Sequence, residues 1–175
     1  MEIVLIGPGD GGKVRAAGHL FDGPPQDDAV ERFLADDRHH LFVAYEEELP
    51  VGFVSGVELT HPDKGTEMLL YELAVDEAHR RQGIGRALVQ RLAAHAHERG
   101  CYGMFVLTED GNDAALATYA VDAPVREDGI VMLTWEPPAG ANMSKASGAD
   151  DAPEEPHPEH RREDEADDRD EVDAE

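Results

Sequence analysis

The 175-residue chain has one cysteine, three lysines, few aromatics (6%) and no long hydrophobic run. A single thiol, Cys101, excludes an internal disulfide and points to a reducing, cytoplasmic setting. Cys101 opens an apolar stretch, Cys101–Leu107, and reads as a structural thiol, not a nucleophile. No apolar run approaches the ~18 residues of a membrane span, and mean hydropathy is -0.50. Met1–Gly7 carries no basic flank, so no secretory leader is expected there. Bases are scarce: 15 Lys+Arg face 39 Asp+Glu, for a net charge of -24. That balance excludes broad electrostatic binding to nucleic acid.

The acid is spread along the whole chain. Up to Glu136 there are 25 acids and 11 bases, a net of -14; beyond it, 14 acids and 4 bases, a net of -10. Twelve of the 15 bases are Arg. Such a composition suits a protein kept soluble in concentrated salt, where self-repulsion is screened, and predicts a halophilic source. After Trp135 no aromatic remains and large apolar residues are almost absent. Residues 137–175 are therefore expected to be a disordered acidic tail behind a folded domain of residues 1–136.

Within residues 1–136 the hydrophobic pattern alternates in type. Glu2–Gly7 reads as a strand, and Lys13–Phe21 and Asp27–Ala35 as helices. His40–Tyr45 and Val51–Leu59 read as a hairpin, and the mostly apolar Met68–Val75 as an inner strand. Gly83–Arg99 places Ile84, Leu88, Leu92 and Ala96 four apart on one helical face, and Gly100 is suited to end that helix. Tyr102–Leu107, Asp113–Tyr119 and Gly129–Trp135 follow as strand, helix and strand. The order implies an α/β domain on a single mixed sheet flanked by helices.

Two tempting motifs fail. Gly7-Pro8-Gly9-Asp10-Gly11-Gly12-Lys13-Val14 mimics a nucleotide-binding loop, but Val14 stands where a hydroxyl must hold Mg²⁺, and Pro8 removes a backbone donor. Nine histidines suggest a metal, yet His39 and His40 are adjacent and His95 and His97 two apart, so neither pair shares a face. No metal site is expected.

One stretch carries chemistry. Glu72-Leu73-Ala74-Val75 leads through a short loop into Arg80-Arg81-Gln82-Gly83-Ile84-Gly85-Arg86. The first backbone N–H groups of a helix have no intrahelical acceptor, and the helix dipole is positive there. Glycines at 83 and 85 leave an anion room to approach. Between His79 and Arg99 stand five Arg and one acid, the single basic island in the chain. The site suits a diphosphate.

Arg80-Arg81-Gln82-Gly83-Ile84-Gly85 resembles the acetyl-CoA loop, Arg/Gln-x-x-Gly-x-Gly/Ala, of the GNAT superfamily of N-acetyltransferases. The preceding strand and Asn112-x-x-Ala115-x-x-x-Tyr119 agree with it. Tyr71-Glu72-Leu73-Ala74-Val75, His79–Ile84, Glu109-Asp110-Gly111-Asn112-Asp113 and Val125-Arg126-Glu127-Asp128 resemble the aminoglycoside 3-N-acetyltransferase branch. The resemblance implies a GNAT-like fold, acetyl-CoA as co-substrate, and direct transfer to a primary amine of a small cationic, aminoglycoside-like acceptor. It gives cofactor contacts to Leu73, Ala74, Val75, Arg80, Arg81, Gln82, Gly83, Ile84, Gly85, Arg86 and Asn112. Glu72 is the expected base or substrate anchor, Tyr119 the expected acid, and Asp28, Glu109 and Asp110 the further substrate-side acids. A homodimer is expected from resemblance alone. A protein N-terminal or lysine acetyltransferase, or a non-catalytic acyl-CoA-binding module, are the alternatives. Where family members follow the Tyr with Leu-Gly or Gly-Phe, this chain has Ala120-Val121-Asp122-Ala123-Pro124.

Overall fold

Strand β1 (Glu2–Ile6) leads through helices α1 (Gly11–Ala16) and α2 (Asp27–Ala35) to β2 (His39–Glu46). β2, β3 (Leu49–His61) and β4 (Gly65–Val75) form a meander; α3 (Ile84–Glu98) then crosses the sheet to β5 (Met104–Val106), and α4 (Asp113–Tyr119) follows. The strands lie in the order β1-β2-β3-β4-β5, antiparallel except for the parallel pair β4–β5. This is the expected mixed sheet flanked by helices. The computed structural model describes residues 1–121 and 124–135. The expected acidic tail, 137–175, lies outside the described residues. Among those described, no helix is long and apolar enough to cross a membrane.

Each face of the sheet has its own core. On one, Phe42, Val54, Met68 and Leu70 meet the stripe Ile84, Leu88, Leu92 and Ala96 of α3. On the other, Leu41, Val43 and Phe53 meet Val14, Ala17, Leu20 and Val30 from the α1–α2 region. Burying each such Leu or Phe stabilises by about 1.5–3 kcal/mol. α3 ends as its glycine predicts. Gly100 has φ +80, its N–H donates to His97 O at 3.0 Å, and Cys101 N–H donates to Ala96 O at 2.9 Å. This hydrogen-bond pair satisfies the carbonyls of Ala96 and His97 in the last turn of the helix.

The same end of α3 is tied to the sheet through polar side chains. Glu58 on β3 is bonded to His40 Nε2 at 2.9 Å and to Arg99 Nε at 2.5 Å. His40 Nδ1 in turn faces His95 Nε2 of α3 at 3.1 Å, buried.

Two expectations change. The helix expected over Lys13–Phe21 begins at Gly11, stops at Ala16 and continues only as a 3₁₀ turn, Gly18–Leu20. The break falls where Gly18 lies against Pro25: a Cβ there would sit 3.3 Å from its ring. The strand expected over Gly129–Trp135 is absent. Ile130, Val131, Met132, Leu133 and Trp135 are exposed. Their continuous apolar run defines no buried face, and the edge strand β5 spans only three residues. In the Gly-rich loop, Lys13 Nζ pairs with Asp10 at 3.0 Å, so its ammonium is held within its own turn.

Candidate functional site

Among the described residues, β4 is paired on both sides only over Met68–Leu70. Met68, Leu69 and Leu70 face Met104, Phe105 and Val106; from Tyr71 onward, among the described residues, the sole partner is β3. The register against β3 slips between Ser55 and Gly56, leaving Tyr71 as the extra residue of a bulge. Beyond it the direction of each backbone group follows from one bond. Asp76 N–H donates to Val51 O at 2.9 Å. Bonding direction alternates along an antiparallel strand. Glu72 and Ala74 therefore turn their N–H groups to β3, whereas Leu73 and Val75 turn theirs to the open edge. Side chains alternate too: Leu73 and Val75 pack on the α3 face and Ala74 on the opposite one.

The open edge runs into the start of α3. Asp76 accepts from Ala78 N–H at 3.0 Å and from His79 Nδ1 at 2.7 Å, which fixes the first turn of the connection. Arg81 has φ +61 and Gly83 φ +85. Gly83 is the N-cap residue of α3 and offers no capping side chain, so the first N–H groups of the helix stay free for a ligand. A Cβ on Gly83 would touch nothing within 4 Å; glycine is needed there for its backbone angle. Gly85 is small for another reason. Its Cβ would lie 2.9 Å from Thr118 Cγ2, so the missing side chain seats α4 against α3.

The basic residues divide. Arg80 Nε donates to Val75 O at 3.2 Å and Gln82 Nε2 to Ala78 O at 3.4 Å. Arg86 Nη2 donates to Ala117 O at 2.9 Å, bracing α4. Arg81 is exposed on the loop. Asn112 caps α4, accepting from Ala115 N–H at 3.0 Å. Tyr119, the last residue of α4, packs against the α3 core. Burial raises its phenol above the usual value, which keeps the proton on the oxygen near neutral pH.

On the opposite face, Glu72 borders a cavity of about 260 Å³ walled by Val14, Phe21, Val30, Phe33 and Leu41, with Ser55, Gln26 and Tyr71 also on it. Burial, and secondarily the charge of Asp22, raises the Glu72 carboxyl above its ordinary value, which strengthens it as a base. The other expected substrate-side acids do not line this cavity. Asp28 pairs with Arg32 at 3.1 Å, Asp110 pairs with Arg126, and Glu109 is exposed on the loop after β5. The cavity draws on residues from Val14 to Glu72, so no local spacing announces it; its one visible hint is the pair of aromatics Phe21 and Phe33 in a chain that has few.

Comparison with known proteins follows the same lines. The Acetyltransferase (GNAT) family matches residues 15–121. N-acetyltransferase 8B of Rattus norvegicus is 31% identical over 93 residues, 53% of this chain and 42% of the relative. The chain thus spans less than half the length of that curated relative. Among solved structures, an aminoglycoside acetyltransferase from an uncultured soil metagenomic sample, in complex with trehalose, superposes with a TM-score of 0.71. It is 25% identical and covers 77% of this chain and 95% of its own. An aminoglycoside N-acetyltransferase in complex with CoA superposes with a TM-score of 0.63 at 19% identity, over 77% of this chain and 93% of its own. At that identity the likeness is one of fold.

Proposed function

The chain belongs to the acetyltransferase (GNAT) family, and on that premise we propose that it transfers the acetyl group of acetyl-CoA, the family's co-substrate, to a primary amine of a small cationic acceptor. The observation that carries this reading is the open edge of β4 running into the uncapped start of α3. Leu73 and Val75 offer outward backbone groups to an extended, amide-bearing arm. The free N–H groups around Gly83–Arg86, with Arg81 beside them, offer a diphosphate its hydrogen bonds.

The chemistry follows from what lies along the edge. Glu72 stands three residues before Val75, about 10 Å along a strand, so it takes the amine proton through an intervening water. The freed nitrogen attacks the thioester carbonyl carbon while Val75 N–H stabilises the oxygen. The C–S bond then breaks, and Tyr119, kept protonated by burial, returns a proton to the leaving sulfur. The stretches resembling aminoglycoside 3-N-acetyltransferases make aminoglycosides one acceptor class to assay; polyamines and simple amines are others. The protein acts in the cytoplasm in this reading.

Titration calorimetry with CoA, combined with free-thiol release from acetyl-CoA over an amine panel in high salt, tests the proposal. Heat of binding that weakens at least tenfold in Arg81→Glu, with thiol release that depends on an amine, is expected. Binding without turnover on any amine identifies a non-catalytic module; no heat at all removes the proposal.

A further inference from the structure

The cavity beside Glu72 has a chemistry of its own. It is walled by Val14, Phe21, Val30, Phe33 and Leu41, and among the described residues Glu72 is its single carboxylate, with no basic residue on its surface. Phe21 is held in place by stacking on Phe53, ring centroids 4.3 Å apart. At about 260 Å³ the space is smaller than the roughly 300–1,000 Å³ of sites for drug-sized ligands. Of the acids nearby, Asp27 pairs with Arg15 at 2.8 Å and Asp28 with Arg32 at 3.1 Å, and Asp22, whose charge acts on Glu72, stands outside the cavity lining. A pocket of this kind has one place for a positive charge and otherwise rewards the removal of apolar surface from water.

Building on the reading of the site as an amine acetyltransferase, we infer that its acceptor is a small monoamine with an apolar alkyl or aryl body. The ammonium lies between Glu72 and the open edge of β4, one water from the carboxylate, and the body fills the space between α1, α2 and the sheet. A multi-ring polycation would bring several hydroxyls and ammonium groups against a surface that has few partners for them. Ala29, exposed on α2 and bordering the same cavity, is the position from which this preference is most simply reversed. A carboxylate there offers a second cation a partner.

The test measures binding with CoA present and turnover with acetyl-CoA. Butylamine, pentylamine, hexylamine and 2-phenylethylamine are compared with ethanolamine, spermidine and an aminoglycoside by calorimetry and by thiol release. Affinity is expected to rise about threefold to fourfold per added methylene, the usual effect of burying a CH₂ group. It should exceed that of ethanolamine at least tenfold for 2-phenylethylamine. Ala29→Asp should lower affinity for 2-phenylethylamine at least fivefold and raise that for spermidine, with CoA affinity unchanged; Ala29→Trp should weaken the bulkier amines first. Spermidine or the aminoglycoside binding as well as the apolar amines, or no dependence on chain length, overturns the inference. Selective binding of apolar amines without thiol release leaves this inference standing and sinks the catalytic reading on which it was built. Turnover on polycations alone does the reverse.

Discussion

Two residues carry tests that separate chemistry from architecture. Glu72 is raised by burial and by Asp22, so the acid limb of the rate profile should lie above that of an ordinary glutamate, and activity should rise as the carboxyl deprotonates. Glu72→Gln should remove that limb and lower kcat about a hundredfold or more, the usual worth of a general base. If Glu72 only anchored the acceptor, KM would rise instead with kcat kept. Arg81 is the second case. A non-glycine residue at φ +61 is held in a conformation that costs of order 1–3 kcal/mol, and its side chain braces nothing else in the fold described above. Arg81→Gly should leave the melting temperature unchanged or higher while weakening CoA binding several-fold in calorimetry. A matched loss of stability would make Arg81 a structural residue. Glycines 83 and 85 illustrate how far residue identity can be read. Their presence pointed to the loop, but only the packing of Thr118 on Gly85 reveals that the second glycine serves helix seating.

α3 is the element that links the two ends of the molecule. Its start faces the candidate ligand site, and its last turn is anchored by the chain Glu58–His40–His95. The hydrogen bonds fix the tautomer: His40 gives its Nε2 proton to Glu58, so its Nδ1 accepts from His95 Nε2. Burial lowers the pKa of both imidazoles, opposed at His40 by Glu58 and reinforced at His95 by the neighbouring His40. Around them also stand Arg99 from the end of α3, Arg91 and Glu98 on the helix, and Asp37 and His39 at the start of β2. Burial works to raise Glu58, but the bonds from Arg99 and His40 hold it below the usual range, so it stays charged throughout the window of interest. The folded state therefore refuses protons that the unfolded chain accepts near pH 6.5. Stability should be fully present above that value and decline as pH falls below it. Thermal melts from pH 7.5 to 5.5 should show the decline, and His95→Gln should make it shallower. The stripe of α3, its glycine stop and the meander were legible because each rests on local periodicity. The split of β4 from β5, the Tyr71 bulge and the Glu72 cavity were not, since they depend on which distant strands run out of partners. The missing strand at Gly129–Trp135 shows the converse: an apolar run looks strand-like whether or not an edge is there to receive it.

At the scale of the whole molecule, net charge dominates. A chain of -24 repels itself, and salt shortens the reach of that repulsion from about 30 Å at 0.01 M to about 3 Å at 1 M. We expect the melting temperature to climb steeply with added KCl and the protein to lose structure on dialysis into dilute buffer. Melts that do not respond to salt would remove the halophilic reading. Residues 1–136 bear most of the excess acid, at -14, so a chain truncated after Trp135 should keep much of the salt response. Finally, the strand that parts from its neighbour at Leu70 should betray itself in heavy water. The amides of Leu73 and Val75, aimed at solvent, should take up deuterium quickly, while those of Glu72 and Ala74 between them stay protonated. Saturating CoA should erase this alternation by slowing the two fast sites, a footprint left by a guest that completes the sheet.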